Sequence, residues 1–183
     1  MSAGAQSTRI WLDPAKLEIA PGGTGTLDIR VENVHQLAGA EVHLTFDPAL
    51  LEATDEDPLT AEVQIAHGDF LSPDFVAQNI VEPGNGTIDY AIACIPVDKA
   101  VSGSGVLARI SFHALSEGET LVSIRSVLFA DPQGQPIETD ADSSLIVINR
   151  SGPPPTVWGL IGLVAAIVAI GLVAVVWSAI KAR

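Results

Sequence analysis

The stretch Ala40-Glu41-Val42-His43-Leu44-Thr45-Phe46 alternates strictly between apolar and polar side chains. A β-strand sends successive side chains to opposite faces, so this segment buries Ala40, Val42, Leu44 and Phe46 and wets Glu41, His43 and Thr45. Upstream, Leu27, Ile29 and Val31 alternate with Asp28, Arg30 and Glu32 in the same way. Comparable runs occupy residues 9–12, 75–81, 87–95, 105–115, 120–129 and 144–148. Turn signals punctuate them: PGGTG from Pro21, DPAL from Asp47, PGNG from Pro83, SGSG from Ser102, SEGE from Ser116 and DPQGQP from Asp131. No segment before Pro153 keeps a helical period over three turns. Short alternating strands separated by Gly/Pro turns predict an antiparallel sandwich or barrel.

The 183 residues divide into unequal parts. Residues 8–148 form the predicted β domain. Residues 149–156, NRSGPPPT, read as a Pro-rich extended linker of about 20–25 Å. Residues 157–180 contain no Asp, Glu, Lys, Arg or His, which predicts a transmembrane helix. Trp158 and Trp177 are its expected interfacial anchors, about 28 Å apart at helical rise. Lys181 and Arg183, in the expected cytoplasmic tail 181–183, orient the span with the head outside the cell. The stretch SAGAQ from Ser2 has the small-residue pattern of a signal-peptide cleavage site. All 22 acidic residues and 7 of the 9 Lys/Arg precede the apolar run, so the head carries a formal charge of −15. Such an acidic head excludes a nucleic-acid binder, which needs clustered Lys and Arg.

The order of elements in the head resembles that of the cohesin domain family. The landmarks are PGGTGTLDIRVENV (Pro21 to Val34), LAGAEVHLTFDPALLEA (Leu37 to Ala53), HGDFL (His67 to Leu71), GNGTIDYAIA (Gly84 to Ala93), SGSGVLARISFHAL (Ser102 to Leu115), GETLVSI (Gly118 to Ile124) and LFADPQGQPI (Leu128 to Ile137). The resemblance implies an all-β fold, a nine-strand jelly-roll β-sandwich, here followed by the single C-terminal membrane helix. It also implies a partner: a dockerin, a small helical module that carries its own calcium on another protein. The family binds dockerin on one sheet face, built from its third, fifth, sixth and eighth strands. On this chain those strands are residues 40–46, 75–81, 87–95 and 120–127. Alternation then turns Glu41, His43, Thr45, Gln78, Asp89, Ala91, Ser123 and Arg125 outward as partner-binding candidates. Ala91 and Ala93 suit a flat docking surface.

No motif for catalysis or cofactor binding is present. His35, His43, His67 and His113 lack HExxH or any other metal spacing, and neither GxSxG nor a P-loop occurs. Cys94 is the one cysteine, which excludes an internal disulfide and reads as inert core. Glu52, Asp55, Glu56 and Asp57 bunch in a loop rather than facing one another across a cleft, as glycoside hydrolysis requires. A calcium site at Asp55/Asp57 or Asp140/Asp142 stays open as an alternative, without the DxDxDG order of a calcium loop. The expected activity is therefore binding rather than catalysis, with no cofactor and no resident metal. The expected protein is a membrane-anchored, extracellular dockerin receptor. The alternative is a polysaccharide-binding or structural cell-surface sandwich. Sparse aromatics, with Phe46 and Phe112 in step with core residues, weigh against the sugar reading.

Overall fold

The computed structural model describes residues 7–150. Thirteen strands are found there: β1 (Thr8–Asp13), β2 (Lys16–Ile19), β3 (Thr24–Leu37), β4 (Gly39–Thr45), β5 (Leu51–Ala53), β6 (Ala66–His67), β7 (Phe75–Glu82), β8 (Thr87–Ala93), β9 (Val101–Ala114), β10 (Gly118–Ala130), β11 (Pro136–Ile137), β12 (Thr139–Asp142) and β13 (Ser144–Ile148). They form two sheets. The first runs β12-β1-β3-β9-β5, with β6 also on β9; the second runs β2-β13-β10-β4-β8-β7, with β11 on β10. The β1–β12 and β13–β2 pairs are parallel and the other pairs antiparallel.

The chain passes between sheets at tight corners. Only Ala38 separates β3, in the first sheet, from β4, in the second. Its N–H donates to Ala130 O and its carbonyl accepts from Cys94 N–H, so the corner is bonded on both sides. The β7–β8 turn is equally constrained. Gly86 has φ +66°, and a Cβ there would stand 2.2 Å from Phe46 O. That carbonyl neighbour is close because Phe46 N–H donates to Gly86 O at 2.8 Å. Only glycine meets both demands.

Inward rows of the two sheets make one core. Ile29, Val31, Ile110 and Phe112 face Val42, Leu44, Ile88 and Tyr90, and all eight are at most 1% exposed. Phe46 and Phe112 meet edge to face with centroids 5.3 Å apart, a favoured aromatic geometry. Two buried polar groups tie loop segments to the second sheet. Asn79 in β7 accepts from Ile65 N–H and donates to Ile65 O. Tyr90 in β8 carries its hydroxyl to within 2.7 Å of His67 Nδ1 on β6. Burial holds the Tyr90 phenol well above its ordinary range and depresses His67. The phenol is therefore protonated; its O–H donates to Leu107 O, and the His67 imidazole is its second partner. His67 is a strut between the sheets.

Several expectations are corrected. Nine strands were expected; the additional short strands, among them β2, β5, β6, β11 and β12, are two to four residues long. Such lengths are too short to show alternation in sequence. The expected transmembrane helix 157–180, its anchors Trp158, Trp177, Lys181 and Arg183, and the SAGAQ stretch lie outside the described residues. Among the described residues no helix is long and apolar enough to cross a membrane; the one helical turn is the three-residue Val97–Lys99. The fold is thus an all-β sandwich of the described residues, and the membrane anchor and the extracellular, single-pass placement are not supported.

Replacing Phe112 by alanine should cost about 3–5 kcal/mol, read from denaturant unfolding at constant slope. Cys94 is free and buried, so reducing agent should leave the melting temperature unchanged.

Candidate functional site

The four strands that the resemblance singles out correspond to β4, β7, β8 and β10, and they are consecutive neighbours in the second sheet, in the order β10-β4-β8-β7. Their outward residues align in rows across the sheet: Glu82–Thr87–Thr45–Ser123, Ile80–Asp89–His43–Ser126, Gln78–Ala91–Glu41–Leu128 and Phe75–Ala93–Gly39–Ala130. Inward partners such as Val42, Leu44, Ile88 and Tyr90 are essentially inaccessible. Glu41, His43, Thr45, Gln78, Asp89, Ala91 and Ser123 therefore share one outer face.

Arg125 is outward for a different reason from the one alternation gives. The β10–β4 register shifts between Ile124, opposite Leu44, and Ser126, opposite His43, and Arg125 is the extra residue of this β-bulge. Beyond it the parity of β10 reverses, so Ser126 and Leu128 face outward, with Leu128 54% exposed. Sequence reasoning missed both. A signal existed in the adjacent polar pair Arg125-Ser126, which breaks the alternation of β10. A second register shift, between Val76 and Gln78, displaces Ala77 on β7. It carries no comparable signal.

Two chemistries share the face. At its centre, His43 lies between two carboxylates, with Nδ1 2.5 Å from Asp89 Oδ1 and Nε2 2.7 Å from Glu41 Oε1. Ionised carboxylates only accept, so both contacts are satisfied together only by the doubly protonated ring. The Asp89 hydrogen bond, then that of Glu41, raises the His43 pKa against a smaller desolvation effect. At one end lies a shallow notch of about 210 Å³. Its floor includes Gly39, Ala91, Ala93 and Ala130, and Phe75 and Leu128 stand at its sides.

The outer face of the first sheet differs. Arg9 bridges Asp142 at 2.6 Å and Glu32 at 3.6 Å. Arg109 holds Asp28 at 2.7 Å, and Arg30 approaches Asp28 and Asp13. Its basic groups are already occupied by its own acids.

Residues 12–149 match the family model described as the cohesin domain. The chain belongs to the cohesin family. Cohesin domains are non-catalytic binding modules, and this chain is not an enzyme. It is 24% identical over 131 residues to "Cell surface glycoprotein 1" of Acetivibrio thermocellus, a match covering 63% of this chain and 5% of that protein. The chain thus spans a small fraction of the length of that curated relative. Among solved structures, a type II cohesin from the cellulosome of Acetivibrio cellulolyticus superposes with TM-score 0.65 at 21% identity, covering 76% of this chain and 94% of that one. A non-cellulosomal cohesin from Archaeoglobus fulgidus gives 0.63 at 16% identity, covering 79% and 92%. A type I cohesin from a cohesin–dockerin complex of Clostridium thermocellum gives 0.65 at 14% identity, covering 79% and 100%. These likenesses establish the cohesin sandwich fold.

The polysaccharide alternative is not supported. Phe46, Tyr90, Phe112 and Phe129 are buried, and Phe75 is the one exposed phenylalanine among the described residues. A row of exposed rings for sugar stacking is not formed there. The acidic loop is used locally as well. Asp55 Oδ1 accepts from the backbone N–H groups of Asp57 and Gln64, and Asp142 is held by Arg9. Among the described residues no group of three or more His, Cys, Asp or Glu is placed to hold a metal ion.

His43 yields a pH prediction. Facing it are Glu41 on its own strand, Asp89 opposite it on β8 and Ser126 opposite it on β10. A raised folded-state pKa means that the stabilisation is fully present below about pH 6.5 and is lost as pH rises through the folded value. Thermal unfolding across pH 5–9 should show this decline, and His43→Gln should remove it. Because the site is about one-third exposed, the amplitude should be small.

Proposed function

We propose that the β10-β4-β8-β7 face of this cohesin holds a dockerin borne on a partner protein, so that the chain acts as a receptor module. The observation that carries this reading is the continuity of that face. Four adjacent strands present four aligned rows of outward side chains, polar at the centre and small or apolar toward the Gly39–Ala93 end. A flat sheet with a small apolar depression suits a helical partner, whose side chains enter from above. Family membership and fold likeness to a cohesin solved with its dockerin support the same reading.

Glu41, His43, Thr45, Gln78, Asp89, Ala91, Ser123 and Arg125 are the proposed contact residues. The net charge of the head, −15, favours a partner of opposite overall charge and speeds encounter more than it strengthens the final complex. The His43 cluster lies at the centre of the face, where contacts lose most water and truncation costs most.

The test compares the two sheets, with calorimetric binding of the full chain to a panel of calcium-loaded dockerins. Alanine at His43 or Asp89 should weaken binding by about 2 kcal/mol while shifting the melting temperature by less than about 4 °C. Glu52→Lys and His113→Ala, on β5 and β9 of the first sheet, should leave affinity nearly unchanged. Added salt should slow association. Sensitivity confined to the first-sheet variants would sink the sheet-face reading.

A further inference from the structure

The docking face holds an unused cation. Seven Lys or Arg residues fall among the described residues, and six of them are engaged: Arg9, Lys16, Arg30, Lys99, Arg109 and Arg150 each have a carboxylate within 4 Å. Arg125 is the exception, in no ion pair or side-chain hydrogen bond. In a head with three times as many acids as bases, an unpaired guanidinium needs a structural reason. The bulge supplies it. Inserting one residue between Ile124 and Ser126 lifts Arg125 out of the ladder, whereas Glu41 and Asp89 are already committed to His43.

The apolar notch lies further along the same strand. Leu128 and Ala130, which help to line it, follow Arg125 by three and five residues. At strand rise these separations are roughly 10–17 Å. A helix lying along β10 covers that distance in about two to three turns, so two side chains on its contact face, seven to eleven positions apart, reach both features. Large apolar side chains are exposed at the notch, with Phe75 at 52% and Leu128 at 54%, and its small floor residues leave room for one medium-sized aliphatic group.

We propose that the partner's helix docks with an aliphatic side chain in the notch between Phe75 and Leu128 and a carboxylate on Arg125. This rests on the docking reading above and adds to it the chemistry and spacing that a matching dockerin must carry. The guanidinium offers paired donors to one carboxylate in a fixed plane, so it selects an acid and sets the helix's position along β10. The requirement runs against the charge of the rest of the head, which attracts bases. A partner of uniformly basic surface is therefore a poor fit, and the bulge makes Arg125 a specificity determinant.

The test is selection from a phage-displayed library of calcium-loaded dockerins, randomised at exposed helix positions, on the immobilised full chain. Clones recovered on the unmodified chain should carry Asp or Glu seven to eleven positions from a Leu, Ile, Val or Met. On Arg125→Glu the acidic position should switch to Lys or Arg. On Ala91→Leu, which fills the notch, binding of the first-round clones should fall at least tenfold. Gly39→Ala is the milder companion, since its new Cβ meets nothing closer than 3.7 Å and the fold should stand. Recovery of clones with no acidic preference, or an unchanged preference on Arg125→Glu, overturns this inference and leaves dockerin binding standing. Failure to recover any dockerin overturns both.

Discussion

The register of β4 between β10 and β8 governs the rest of the molecule. Val42 sits opposite Val127 on one side and Tyr90 on the other, and Leu44 opposite Ile124 and Ile88. With that pairing, one face of the central strands closes the core and the other is left smooth. A slip of β4 by one residue would send His43 and Glu41 into an apolar slab and Val42 and Leu44 into water. The penalty for burying those charges far exceeds any single contact on the surface. Stability therefore fixes which residues face outward, and the outer face follows from the packing of the inner one.

The two outer faces then diverge through how their charges are paired. On the first sheet Arg9, Arg30 and Arg109 are bound by Asp13, Asp28, Glu32 and Asp142. A partner approaching there must displace existing ion pairs and gains little by doing so. On the β10-β4-β8-β7 face of the second sheet, His43 satisfies two carboxylates, whereas Arg125 satisfies none. The same strands carry the small side chains at Gly39, Ala91, Ala93 and Ala130 that let another surface approach closely. Both features sit on strands whose inner faces are packed, an arrangement that reduces the ordering cost of association.

Much of this was legible in the sequence where alternation runs without a break. The stretch from Ala40 to Phe46 and that from Thr87 to Ala93 declare both their faces, and seven of the eight candidate contacts are outward as strict alternation requires. The sequence is least informative where the backbone departs from period two. The β10 bulge reversed the parity after Ile124, so Ser126 and Leu128 were missed, and Arg125 is outward because it is the inserted residue. The notch was invisible for another reason. Phe75, Leu128 and Ala130 come from strands that the chain reaches far apart, and only the pairing of β7 and β10 on either side of β4 and β8 assembles them. His67 read as an isolated histidine because its partner, Tyr90, lies in the other sheet. The apolar run 157–180 satisfies the composition of a membrane span, but composition alone does not support carrying an anchor into the account of this cohesin.

On the proposed reading, partner contact falls on one sheet face fixed by the register of β4. Amide chemical-shift mapping of the isotope-labelled full chain, titrated with a dockerin that binds it, tests this most directly. Shifts should concentrate at His43, Asp89, Ala91, Ser126 and Leu128, with Arg30, Ser111 and Glu52 unmoved. Shifts centred on β1, β3 and β9, with β4 and β8 silent, would contradict it.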